Sequence, residues 1–426
     1  MRRRKGGTYL QPAMTELDRR DLIGAALLLG PTAAYAAAPL ARDAQYWRAV
    51  AAEYDIIREI VPFENGMWGM MPRPVMEAYR RKTEMANRRN SFYARREYDS
   101  DLERVRARAA SDLGVAVEEL AFTRGATEAL MTLINGYNRL KPGDAVLYAD
   151  LDYDSTQAAF EWLKAHRGVD VVTIALPEPA THQSLIDAYE AALKANPKIR
   201  LMLVTHVSHR TGLVLPVAEI VEMARSRGVD AIVDSAHAWG QLDFKLSGLK
   251  ADFVALTCQK WIGAPVGTGL MYVRRARIDA IDTAIGNAGF SPDDIRRRIH
   301  TGTSNFGAFL ALEDALDFHQ KIGAAPKEAR LRALRDRWAE EMRGRIEILT
   351  PSDPRLTSGI ASFRFKGHAS RDQNLADADA LLKRFKIFTV ERSGVASGSC
   401  IRVTCAVFTS EAEVDQLTAA LKAMSA

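Results

Sequence analysis

"DSAHAWGQLDFKLSGLKADFVALTCQKWIGAPVGTG" (residues 234–269) sets an aspartate and a histidine at the end of one apolar run and a lone lysine just past the end of the next. The first run is "VDAIVDSA" (229–236), carrying Asp234 and followed by His237; the second is "ADFVALT" (251–257), followed by Lys260. Short apolar runs bounded by turn residues read as buried strands. In open α/β sheets ligands lie beyond the carboxyl ends of the strands, which is where Asp234 and Lys260 fall.

Working outward, "LAFT" (120–123), "DAVLYA" (144–149), "VDVVTIAL" (169–176), "IRLMLVTHV" (199–207) and "GLMYVRR" (269–275) also read as strands. Most flank helical stretches such as "ATEALMTLINGYNRL" and "PVAEIVEMARSRG", the alternation of a doubly wound, mainly parallel sheet. From about residue 306 the texture changes to long charged helices, then "GIASFRF", "FKIFTV" and "CIRVTCAV", then a last helix opened by the capping box Ser410 to Glu413. The expected organisation is a leader (1–41), an N-terminal segment joining the small domain (42–68), a large α/β domain (69–305) and a smaller α/β domain (306–426). No internal repeat or low-complexity tract interrupts it.

With 426 residues, 47% of them hydrophobic, the chain can bury a large core. Its formal charge of +5 is mostly leader: residues 1–41 hold six basic and three acidic side chains, so the rest carries only +2 and no nucleic-acid partner is expected. Cys258, Cys400 and Cys405 are odd in number and lack metal-ligand spacing, and His206 with His209 has no evident third ligand, so neither a disulfide framework nor a metal site is expected. The segment "DRRDLIGAALLLGPTAAYAAAPLA" pairs Arg19 and Arg20 with a modest apolar run and small residues near Ala36 and Ala38. It resembles a twin-arginine export signal, which implies the twin-arginine translocase as a partner and a periplasmic destination; the run before Pro31 is too short to span about 30 Å of hydrocarbon. Met14 is a candidate start.

A third feature joins the acid and the amine at the same sheet edge. "FTRGATEAL" ends a strand at Thr123 and passes through Gly125, Ala126 and Thr127 into a helix, whose free N–H groups can cradle a phosphate. An anion site, a carboxylate to keep a ring nitrogen protonated and an amine for covalent attachment are together what pyridoxal 5′-phosphate requires.

The chain resembles a fold-type I pyridoxal-phosphate enzyme of the class V aminotransferase family. The likeness runs from "ENGMWGMMPRPV" (64–75) through "ARREYDSDLERVRARAASDLGV", "LKPGDAVLYADLDYDS" and "THVSHRTGLVLPVAEI" to "IRVTCAVFTSEAEVDQL". In texture it is nearest to isopenicillin N epimerase-like members and more distantly similar to cysteine desulfurases. The resemblance implies that Lys260 attaches the cofactor, Asp234 pairs with the pyridine nitrogen and His237 lies near the phenolic oxygen. It implies that Tyr153 stacks on the ring with Ser208 beside it. The phosphate falls to Gly125, Ala126 and Thr127, with side-chain contacts from Thr257 and Gln259. Thr303 would reach the phosphate of a second subunit in a homodimer, and Arg402, in a strand where Ile401, Val403 and Cys405 take the other face, would clamp a substrate carboxylate.

The implied activity is abstraction of a Cα proton from an amino acid, ending in epimerisation or transamination. Alternatives are tailoring of an amino acid within a siderophore-type peptide outside the cytoplasm, cysteine desulfuration or C–S lysis, and a non-catalytic ligand-binding relic. Desulfuration needs a mobile thiol, and in "ERSGVASGSC" Ser397 falls roughly where it is expected, with Cys400 three residues on.

Overall fold

A computed structural model describes residues 40–425; the leader with Arg19 and Arg20 lies outside the described residues, apart from residues 40 and 41. Among the described residues no helix is long and apolar enough to cross a membrane. Residues Val61–Pro62 form a short strand, β1. The apolar runs then supply β2 (Leu120–Thr123), β3 (Ala145–Ala149), β4 (Asp170–Ile174), β5 (Ile199–Thr205), β6 (Asp230–Asp234), β7 (Phe253–Thr257) and β8 (Gly269–Val273). These seven make one sheet in the order β2-β8-β7-β6-β5-β3-β4.

The sheet is parallel from β7 through β6, β5 and β3 to β4, and β8 alone is reversed, antiparallel to both β7 and β2. The reversal follows from the link: residues 258–268 contain no helix, and without a helical crossover the chain can only turn back. Alternate residues feed opposite faces of the sheet. Leu201, Leu203, Ile232 and Phe253 join Leu133 and Phe160 on one side, while Met202, Val204, Val233 and Val254 join Leu185 and Ile220 on the other.

The smaller unit is a four-stranded antiparallel sheet, β12-β13-β10-β9, built from β9 (Glu347–Ile348), β10 (Ile360–Arg364), β12 (Val390–Arg392) and β13 (Cys400–Thr404). It buries Phe363, Ile401 and Val403 against Leu334 and Trp338 of the helix Ala324–Met342 and Leu417 of the helix Glu411–Met424. The run "FKIFTV", read as one strand, is two: β11 (Ile387–Phe388) pairs with β1, and β12 pairs with β13. A strand that serves two sheets must break between them, and Thr389 is the break. The N-terminal segment is thereby stitched to this unit, since Phe63 N–H donates to Phe388 O (2.9 Å) and Thr404 N–H to Phe63 O (2.8 Å).

The register brings the strand ends to one edge. Thr205 lies opposite Asp234, and Gly269 lies opposite both Thr123 and Thr257. Strand ends rich in polar groups thus meet at this edge of the sheet.

Candidate functional site

A cavity of about 540 Å³ opens at this edge. Its wall includes Gly125, Ala126, Thr127, Tyr153, Asp234, His237, Thr257, Gln259, Lys260 and Arg402, which the sequence separates by up to 277 positions.

The helix Ala126–Gly136 starts here, and its N-cap Gly125 brings no side-chain cap. Ala126 N–H is bound to Thr257 Oγ1 (3.2 Å), while the next N–H groups of the first turn are free of any side-chain cap, as an anion site requires. The turn lies directly on β8: a Cβ at Gly269 would meet Gly125 Cα at 2.4 Å, so only glycine permits that approach. Gln259 Oε1 accepts from Gly267 N–H (2.6 Å) and Thr268 N–H (3.3 Å), which leaves its NH₂ as the group with donors to spare.

Asp234 is buried, and Ala236 N–H donates to its Oδ1 (2.9 Å). No ion pair of the described residues includes it. Burial pushes its carboxyl above the ordinary value, opposed by that N–H and by the charge of Lys260. A buried carboxylate this poorly compensated calls for a cation, and a protonated pyridine nitrogen is one. The Lys260 ammonium is pushed down to about 8, chiefly by burial. Trp261 indole N–H donates to His237 Nδ1 (3.3 Å), so a neutral ring carries its proton on Nε2, 2.9 Å from Lys260 Nζ. Burial holds His237 well below its ordinary value, so the ring is neutral. That Nε2–H can donate to Lys260 in its amine form, which predominates above about pH 8. The free helix start, the under-compensated acid and the lysine of lowered basicity fit pyridoxal 5′-phosphate.

Two expected residues are elsewhere. Ser208 is fully buried and does not line the cavity: its Oγ accepts from Arg210 N–H (3.2 Å) and Thr211 N–H (3.3 Å), so its hydroxyl is spent capping its own turn. The next residue, His209, lines the cavity instead, with its ring edge-on to Tyr153 (5.3 Å) and pushed down to about 4 by burial. Thr303 is exposed and does not line this cavity.

Sequence reasoning also missed Glu64, Asp154, Arg210 and Arg392. Arg210 Nη2 donates to Asp154 Oδ1 (2.6 Å), and His209 and Arg210 together hold the Asp154 carboxyl below the usual range. Arg402 is fully buried, and Nη2 donates to both oxygens of Glu64 (2.6 and 2.7 Å) while Nη1 donates to His209 O (2.7 Å). The signal was available for Glu64 alone: an acid in an otherwise apolar and glycine-rich "ENGMWGM" needs a reason.

Ser397 Oγ donates to Glu178 Oε1 (2.7 Å) and accepts from Arg364 Nη2 (3.1 Å). Cys400 is buried, with its thiol pushed up to about 12 by burial.

A family described as "Aminotransferase class-V" matches residues 69–417. An isopenicillin N epimerase of Streptomyces clavuligerus is 28% identical over 86% of this chain and 95% of its own length. Among solved structures, an apo cysteine desulfurase from Thermococcus onnurineus NA1 superposes with a TM-score of 0.75 at 22% identity, covering 88% of this chain and 96% of its own. A cystine C–S lyase in complex with its product cysteine persulfide gives 0.74 at 22% identity, covering 85% and 97%. At that identity the two structures speak for the fold.

Proposed function

Since this chain belongs to the aminotransferase class-V family and its cofactor is pyridoxal 5′-phosphate, we propose that it removes the Cα proton of an amino-acid substrate, with Lys260 as the base. The observation that carries this reading is the buried Lys260, its ammonium pushed down to about 8, on a cavity whose wall also holds Asp234. Bound there, the cofactor supplies an electron sink for the bond broken at Cα.

Asp234 would hold the pyridine nitrogen protonated, and the first turn from Gly125 to Thr127, with Thr257 and Gln259, would hold the phosphate. Tyr153 would cover one face of the ring. Lys260 would take the proton from Cα, and His237, neutral and donating to Nζ, would orient the amine so that its lone pair faces the carbon. Where Lys260 and its neighbours return that proton separates epimerisation from transamination.

A second reading is C–S bond cleavage, and the buried thiols limit its form. All three cysteines are buried, and Ser397 is bonded to Glu178 where a mobile thiol would be needed. A sulfur that leaves on the product fragment needs no enzyme thiol, so the buried thiols favour a C–S lyase over a desulfurase working through an enzyme persulfide. Amino acids carried in a peptide, including siderophore-type peptides, belong to the candidate substrates for either reading.

The test is deuterium exchange at Cα across a panel of free and peptide-borne amino acids in heavy water. Exchange with loss of optical purity and no keto-acid requirement marks an epimerase; pyruvate release marks elimination. Absence of exchange with every member of the panel, in protein shown to hold its cofactor, would sink the proposal.

A further inference from the structure

The turn that presents Lys260 is held at three successive carbonyls. Gln259 O accepts from Gly69 N–H (2.7 Å), Lys260 O accepts from Gly263 N–H (3.2 Å), and Trp261 O accepts from Nζ of Lys327. The first two are ordinary backbone bonds. The third comes from the helix Ala324–Met342 of the smaller unit, and among the described residues it is the only hydrogen bond that the Lys327 side chain makes. Lys327 is 5% exposed, and burial alone pushes its ammonium down to about 7, with no carboxylate to oppose the shift. A basic group withdrawn from water without an acid is costly, and here that cost is borne to hold one carbonyl.

Trp261 also reaches toward the histidine. Its indole N–H can donate and cannot accept, and it meets His237 Nδ1 at 3.3 Å. The two turns are pressed together, since a Cβ at Gly240 would lie 2.7 Å from both Trp261 C and Ile262 N. A neutral imidazole has one N–H and one lone pair. With the indole N–H on Nδ1, the imidazole proton stays on Nε2, and the ring faces Lys260 Nζ, 2.9 Å away, as a donor. Without the indole the opposite tautomer becomes available, and its Nε2 lone pair would accept from Lys260 and favour the ammonium.

We propose that Trp261 and Lys327 are positioning residues for Lys260: the indole N–H selects the His237 tautomer that faces the amine as a donor, and Lys327 holds Trp261 in place from the smaller unit. The inference rests on the reading of Lys260 as the reactive amine, and it is independent of the substrate and of where the proton returns. Lys327 does not line the cavity that contains Lys260, so the smaller unit sets the basicity of the amine from behind it.

Two measurements on the full chain freed of cofactor test this. Side-chain ¹⁵N spectra of histidine-labelled protein, with His237→Gln to assign the signals, report the tautomer, and the pH midpoint of borohydride-trapped pyridoxal 5′-phosphate uptake reports the basicity of Lys260. The charges that face Lys260 are Asp234 and Glu64, which favour its ammonium, and Arg402 and Arg392, which oppose it; the variants alter none of them. Wild type should show His237 protonated on Nε2 alone. Trp261→Phe keeps an aromatic ring without the N–H, and it should populate the Nδ1–H form and raise the uptake midpoint by about one unit, which makes uptake about tenfold slower below the midpoint. Lys327→Met should move both readouts the same way, and the double variant should move them no further than Trp261→Phe alone, because Lys327 acts through Trp261. An Nδ1–H tautomer in wild type would overturn the inference whether or not the variants fold, and so would a Trp261→Phe protein with unchanged tautomer and midpoint. Additive shifts in the double variant would overturn the part given to Lys327 and assign it a separate, electrostatic effect. A wild type that traps no adduct would instead bring down the reading of Lys260, and the inference with it.

Discussion

Lys260 Nζ lies 2.9 Å from His237 Nε2 and sits in surroundings that push its ammonium down to about 8 from 10.5. The amine is the attacking form, so covalent uptake of pyridoxal 5′-phosphate by the apo protein, trapped with borohydride, should accelerate with a midpoint near pH 8 and not near 10.5. Lys260→Ala should give no trapped adduct, and an unchanged adduct would refute the assignment. The sign for stability follows from the same shift. Between about 8 and 10.5 the unfolded chain holds a proton that the folded chain lacks, so this group's contribution to apo stability rises with pH across that window and is lost as pH falls through it. At this scale the position of Asp234 and Lys260 at the sheet edge was legible in the sequence, because Asp234 ends β6 and Lys260 closely follows β7. It misled at Ser208 and His209, adjacent polar residues of one turn, because only the turn's hydrogen bonds decide which faces the cavity and which caps the backbone.

The loop carrying Glu64, Gly66 and Gly69 crosses the mouth of the site as an element in its own right. Gly69 N–H donates to Gln259 O (2.7 Å), and a Cβ at Gly69 would fall 1.7 Å from Lys260 O, so the loop leans on the backbone that presents the lysine. Gly69→Ala must push the two segments apart, at a cost of about 1–3 kcal/mol. A lowered urea midpoint with an unchanged slope, together with slower Cα exchange, is the expected outcome. An alanine variant with wild-type midpoint and exchange would mean that the loop moves freely away from Lys260. Nothing in the sequence marked this approach: glycine in "MWGMM" reads as a turn, and its real partner is 190 residues away.

For the whole molecule, the resemblance implies a homodimer whose sites are shared through Thr303, and its exposed position leaves the side chain accessible to a second copy. Thr303→Glu, which would bring a negative charge to the phosphate, should be inactive alone, as should Lys260→Ala. Mixed and allowed to exchange subunits, the two should recover about a quarter of wild-type activity, because each hybrid holds one intact site. No recovery in verified hybrids would mean that each chain completes its own site. The proposed export through Arg19 and Arg20 has a separate readout: an Arg19→Lys, Arg20→Lys variant should accumulate in the cytoplasm, and a periplasmic fraction equal to wild type would dismiss the signal.

Apolar runs with turn residues at their ends determined by themselves that β5, β6 and β7 are buried parallel strands and that Asp234 and Lys260 stand at their tips, since burial on two faces leaves so few alternatives for such runs. What only the tertiary structure decided is which charges meet. Arg402 and Glu64 are 338 positions apart, and each taken alone reads as a group awaiting a ligand. Their pairing brings the two opposite charges to hydrogen-bond distance, and sequence separation could not show it, because electrostatic compensation depends on distances of a few ångströms.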